Sequence, residues 1–156
     1  MYPKLIIKKS KLRDNALTIK NLLEEQGIDL SPVTKGFSAI PELVQMYDSL
    51  GFNYIADSRI LNFKKQGPLK AKRLLIRLPS LSELEDVVRY SDACLISEPV
   101  VIKALNEEAK KQGKNYEIIL MVEIGDLREG LLKEDVLPAV EEILKLENIT
   151  LLGLGI

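Results

Sequence analysis

An α/β fold built around a parallel sheet is what this chain predicts, and three observations lead there. Apolar strand-like runs alternate with helix-period segments along the whole sequence, one pair roughly every twenty to thirty residues. A strand-helix order of that kind requires crossovers, which place successive strands parallel and connect them right-handedly. With 156 residues and 46% hydrophobic content, the chain is long and apolar enough to bury the core of one globular domain.

The elements follow in order. Residues 4–7 read as a first short strand. Ser10 reads as a helix N-cap, and Leu12, Ala16, Ile19, Leu22 and Leu23 then recur at helical spacing until Gly27 ends the segment. Strand-like runs are expected at residues 30–34, 54–56, 74–78, 93–96, 118–122 and 149–154. Helix patterns fill the intervals, at residues 40–50, 60–65, 80–90, 99–112 and 133–146.

Composition narrows the function classes. A formal net charge of -1 gives no global basic field for nucleic acid, and the local clusters Lys8-Lys9, Lys70 to Arg73 and Lys110-Lys111 sit on different segments. A small-molecule partner is therefore favoured. The single cysteine, Cys94, lies in an apolar run and reads as a packed core thiol. The chain contains no histidine, which removes the commonest general base and, with one cysteine, any zinc site, so no metal is expected. No apolar stretch reaches membrane-span length and the start Met1-Tyr2-Pro3-Lys4 is unlike a signal peptide, so a cytoplasmic location is the expectation.

The polar residues after each strand form the candidate site. In chain order they are Lys35, then Asp57-Ser58-Arg59, Arg77, Ser97-Glu98, and Glu123-Gly125-Asp126 with Arg128, followed by Gly153 and Gly155. In a strand-helix barrel the carboxyl ends of the strands share one rim, so these residues are expected to converge. Lys35 ends the run Val33-Thr34-Lys35-Gly36, where a buried strand end would favour a neutral amine able to form a Schiff base with an aldehyde such as pyridoxal 5'-phosphate. A lysine at a strand end can equally be an ordinary solvated side chain. Arg77 interrupts the apolar run Leu74 to Pro79 and so needs an anionic partner, either a cofactor or substrate group or an acid such as Glu98 or Glu123.

Four segments together carry a family resemblance: Val33-Thr34-Lys35-Gly36, Ala56-Asp57-Ser58-Arg59, Leu75-Ile76-Arg77-Leu78-Pro79, and above all the twelve residues from Ile119 to Gly130. They resemble the alanine/ornithine racemase family of pyridoxal-phosphate enzymes, over essentially the whole chain. The resemblance implies an incomplete amino-terminal portion of a TIM-type (β/α) barrel, with about six parallel strands alternating with helices across residues 1–156. A full eight-fold barrel takes about 250 residues. It also implies that Lys35 is the Schiff-base lysine and general base, and that Arg128, with Arg59 and Arg77, positions cofactor or substrate. The implied reaction is removal of the α-proton of an amino acid bound to pyridoxal phosphate. In the family a carboxy-terminal β domain of a partner subunit supplies the second base, and that domain is not among these residues, so the isolated piece is expected to be a poor racemase. A cofactor-binding homeostasis module without racemase activity is the alternative, although Asp57-Ser58-Arg59 stands where those proteins carry Glu-Asn-Arg. Open sheet edges, residues 149–154 above all, would favour a homodimer or other self-association.

Overall fold

A computed structural model describes residues 3–156. Six α-helices and five strands alternate: α1 (Lys9–Glu24), α2 (Pro41–Asp48), β1 (Tyr54–Asp57), α3 (Ile60–Lys65), β2 (Lys72–Leu75), α4 (Leu84–Tyr90), β3 (Ala93–Ile96), α5 (Pro99–Lys111), β4 (Tyr116–Met121), α6 (Lys133–Ile143) and β5 (Ile149–Gly155). The strands form one sheet in the order β1-β2-β3-β4-β5, and every neighbouring pair is parallel. Strands that follow one another in sequence also lie side by side, with a helix in every interval, which is the arrangement of an unclosed strand-helix barrel.

Side-chain alternation along the strands decides where the core sits. Cys94, Ile96, Tyr116, Ile118 and Leu120 face one side, where they pack with Phe63, Val87, Val88, Ile102, Leu105 and Ile143 of the helices. Each such large side chain, fully buried, contributes about 1.5–3 kcal/mol. The other face carries Ala56, Leu74 and Ala93, with Tyr54, Ile76, Leu95 and Ile119 partly buried around them. A second cluster, Val44, Met46, Tyr47, Phe52 and Ile55, seats α2 against β1 and receives Leu12 and Ala16 of α1.

Several expected elements differ, each for a physical reason. Residues 4–7 form no strand among the described residues, and Leu5 is 87% exposed, because no neighbouring strand lies beside them to take up their backbone groups. Met1 and Tyr2 lie outside the described residues. Helix α1 begins at Lys9 behind Lys8, so Ser10 lies inside the helix and is not its N-cap. The strand expected at 30–34 shrinks to a bridge between Val33 and Ala56, held by Ala56 N–H to Pro32 O (2.9 Å) and Thr34 N–H to Ala56 O (2.8 Å). Pro32 has no N–H and cannot extend that ladder. The sheet therefore has five strands with a sixth position reduced to this bridge. The strand expected at 74–78 lies at Lys72–Leu75, two residues earlier at its start and three at its end, which leaves Arg77 in the loop beyond it. The helix expected at 80–90 divides into a 3-10 turn, Leu81–Glu83, with a Ser80/Glu83 capping box, and then α4.

Candidate functional site

Parallel pairing sends the residue after every strand to one edge of the sheet. Lys35, Ser58, Arg59, Arg77, Ser97, Glu98 and the 123–128 loop therefore all lie at the carboxyl edge, as expected. The mounting of each differs.

Lys35 opens a single 3-10 turn, Lys35–Phe37, directly behind the Val33 bridge. Its side chain is exposed, so the low-dielectric surroundings inferred from a buried strand end are not provided by this chain's own residues. The residue before it is held far more firmly. Thr34 has no exposed surface, and its Oγ1 donates to Asp57 Oδ2 at 2.6 Å. Asp57, equally buried at the end of β1, also accepts the Arg59 backbone N–H at 2.9 Å and the Asn62 amide through both oxygens, at 3.0 and 3.1 Å. The first of these is a local turn closed by an aspartate on the backbone two residues ahead.

Arg59 is exposed, and its guanidinium has no side-chain partner among the described residues. It lines a groove with Ser58, Leu61, Lys64, Arg77 and Glu83, a lining that does not include Lys35 or Arg128. Arg77 has the anionic partner its position demanded, and the partner is Glu83, not Glu98 or Glu123. Nη2 donates to both carboxylate oxygens, at 2.7 and 2.8 Å, while Nε donates to Ser58 O at 3.1 Å. Burial pushes the Glu83 carboxyl up, but the Arg77 hydrogen bonds and the Ser80 N–H outweigh it and hold the group below its ordinary range.

Arg128 rides on a closed loop between β4 and α6. The loop's ends are pinned by a bridge between Val122 and Leu131, with Glu123 N–H to Leu131 O and Leu131 N–H to Met121 O both 2.9 Å. Inside it the Glu123 carboxylate accepts the N–H of Gly125 and that of Leu127, and these donors, with weaker help from Arg128 and Asp126, hold it below the usual carboxylate range. Gly130 passes so close that a Cβ would stand 2.4 Å from Glu123 N. The Arg128 side chain itself is 73% exposed and pairs with Glu129 at 3.0 Å. A solvated pair of this kind is weak and readily exchanged.

The sequence pointed to the edge where Lys35, Arg59, Arg77 and Arg128 lie, but not to Thr34, Asn62, Glu83 and Glu123 as the groups that hold them. Only the Ser80/Glu83 spacing, a serine with glutamate three residues later, carried a readable signal. The apolar pocket of about 370 Å³ between α5 and α6, lined by Ile102, Leu131, Pro138 and Ile143, holds none of the candidate residues. No group of acids and cysteine suited to a metal occurs among the described residues. The donor set does fit an anionic, aldehyde-bearing cofactor: a reachable amine at Lys35 and guanidinium groups at Arg59, Arg77 and Arg128 along the same edge.

Comparison with known proteins adds the following. The model of the "Alanine racemase, N-terminal domain" family matches residues 7–155. An ornithine racemase of Acetoanaerobium sticklandii is 48% identical over all of this chain, which spans 44% of that relative. A lysine racemase of Thermotoga maritima is 33% identical over 99% of the chain and 44% of the relative. Among solved structures, an alanine racemase of Clostridium difficile 630 superposes with a TM-score of 0.81 at 25% identity, covering 92% of this chain and 39% of that one. The chain thus spans less than half the length of the curated relatives it matches.

Proposed function

The chain belongs to the alanine racemase N-terminal domain family, and on that premise we propose that it is the cofactor-lysine-bearing, amino-terminal barrel portion of a pyridoxal-phosphate-dependent amino-acid racemase. The observation that carries the reading is Lys35, an accessible amine mounted on a buried clamp at the carboxyl edge, with Arg59 fixed to the same clamp. Arg128 and Arg77 complete the set that would hold the cofactor and the substrate carboxylate. When bound, pyridoxal phosphate supplies an electron sink for the α-carbon of the amino acid. Lys35 Nζ then takes a proton from the α-carbon, or returns one, on the face it occupies. The opposite-face acid-base group comes from outside these residues, from the partner subunit of a dimer.

Both curated relatives are named for diamino acids, ornithine and lysine, and their identity to this chain supports a substrate of that class. The homeostasis-module alternative has no comparable support, because the two relatives quoted are racemases. The open side of β5, with Leu152 and Leu154 exposed, supports self-association. No described helix is long and apolar enough to cross a membrane.

Incubation with pyridoxal phosphate followed by borohydride reduction tests the assignment. The expected result is one reduced adduct, located on Lys35 by peptide mass spectrometry and lost in Lys35→Ala. A principal adduct on another lysine, such as Lys64 or Lys70, would overturn it. The 156-residue chain alone should exchange the α-proton of ornithine slowly and racemise it poorly, since each positioned acid-base group contributes about 10²- to 10⁴-fold.

A further inference from the structure

We propose that the buried Thr34–Asp57 pair is a positioning device, which fixes the backbone that carries Lys35 and registers it against Arg59. This rests on the reading of Lys35 as the cofactor lysine. A lysine reaches its target through a flexible four-carbon stem, so what a protein can fix is the place and direction of its Cα–Cβ bond. Thr34 fixes both from the adjacent position. Its N–H donates to Ala56 O (2.8 Å), its carbonyl accepts from Phe37 (3.3 Å) and Ala39 (3.1 Å) to close the turn holding Lys35, and its hydroxyl donates to Asp57 (2.6 Å), with Ala56 O 3.2 Å away.

The choice of residues argues for more than stability. Asp57 is fully buried, its partners are all neutral donors, and no lysine or arginine pairs with it among the described residues. Burying a carboxylate without a cation is costly, and an apolar pair of similar volume would hold two strand ends together with less penalty. Departures of this sort from the cheapest core concentrate at functional sites. Here the departure ties the Thr34 turn and the start of α3, through Arg59 and Asn62, to one carboxylate at the carboxyl end of β1. Any displacement of the Lys35 turn is thereby coupled to the backbone of Arg59, and the spacing between the two backbone positions is set before a ligand arrives.

The test compares Thr34→Val, which keeps the shape and removes the hydroxyl, with Thr34→Ser, which restores it. Each chain is treated with substoichiometric pyridoxal phosphate and reduced with borohydride. The Lys35 amine and the cofactor aldehyde join as C=N with loss of water, and hydride converts that bond to a stable secondary amine. Peptide mass spectrometry gives the share of adduct on Lys35, with the other lysines as internal standard and far-UV circular dichroism as the check on folding. The wild-type chain and Thr34→Ser should place the adduct on Lys35, whereas Thr34→Val should lower the Lys35 share by about tenfold, the equivalent of one lost hydrogen bond to a charged group. Asn62→Ala, which removes a different donor from Asp57, should lower it in the same direction and serves where Thr34→Val does not fold. A wild-type share in folded Thr34→Val or in Asn62→Ala overturns the positioning role. A wild-type chain that is not labelled at Lys35 overturns the reading of the site, and this inference with it.

Discussion

Replacing Gly130 with alanine should damage this molecule more than any other Gly→Ala change in its loops that meets only open space. Gly130 has φ of +133°, a region that L side chains rarely adopt, and the added Cβ would meet Glu123 N at 2.4 Å, Val122 C at 2.5 Å and Glu123 Cα at 3.0 Å. All three are backbone atoms, so no side chain can swing aside. Holding an L-residue in such a conformation costs about 1–3 kcal/mol, and overpacking costs about 1–3 kcal/mol more. Gly113 is the control, with φ of +63° and nothing within 4 Å of its added Cβ, so Gly113→Ala meets only the left-handed penalty of about 1–2 kcal/mol. Urea unfolding followed by far-UV circular dichroism should therefore show Gly130→Ala less stable than Gly113→Ala by about 2 kcal/mol, at an unchanged slope. The one local escape is to open the Val122–Leu131 bridge, which would appear as faster hydrogen exchange at the Glu123 and Leu131 amides. Equal stabilities together with undisturbed exchange at those two amides would refute the close-approach reasoning.

Three further outcomes are expected. Burial pushes the Cys94 thiol up to about 12, against a hydrogen bond with Tyr116 that lowers it, so the native chain should resist iodoacetamide at about pH 8 and react fully in urea; rapid native alkylation would contradict this. Tyr116→Phe removes the hydroxyl that stands 2.6 Å from Ser91 Oγ, while Ser91 keeps its bond to Val87 O, so the loss in urea unfolding should be about 0.5–1.5 kcal/mol, and a loss above about 3 kcal/mol would show that the hydroxyl does more. Because the folded-state pKa of Glu83 is depressed, the stability from its pair with Arg77 is present above the ordinary carboxyl range and lost as pH falls through the lowered value. Glu83→Gln should therefore cost no more than about 1 kcal/mol near neutral pH, given the exposure of Arg77, and the gap should narrow on acidification; a gap that widens in acid would reverse the assignment.

How much could be read in advance depended on whether the decisive interaction was local. The strand Ala93–Ile96 falls where its apolar run ends, and five of the seven expected strands formed, because burial between helices and an open face is written into short apolar runs. The one expected at 30–34 was misjudged in extent, because the apolar pattern there says nothing of the missing N–H of Pro32. Residues 4–7 look like a strand and are not one, since a strand exists only where another can pair with it. At the site, the demand of Arg77 for an acid was legible, yet Glu83, six residues on, was overlooked because the apolar run seemed to continue past Leu75. Thr34 and Asp57 are 23 positions apart, and nothing in the spacing of either declares the other.

The candidate residues are held by two different kinds of mount, and this difference has a consequence. Lys35 and Arg59 hang from a buried carboxylate whose partners are all inside the protein, so their spacing is insensitive to salt. Arg128 hangs from an exposed loop whose internal anchor is the Glu123 carboxylate, with Asp126 and Glu129 on the same loop beside it. The folded-state pKa of Glu123 is depressed by the N–H groups of the loop, so its hold is complete above the ordinary carboxyl range and is lost as pH falls through the lowered value. Acidification should thus loosen the loop that carries Arg128. Amide chemical shifts of Gly125 and Leu127 across an acid titration would register this directly, with the two loop amides moving together and Glu123→Gln abolishing their titration. Loop amides that titrate unchanged in Glu123→Gln would mean that the loop is stabilised by the sheet and not by its own carboxylate.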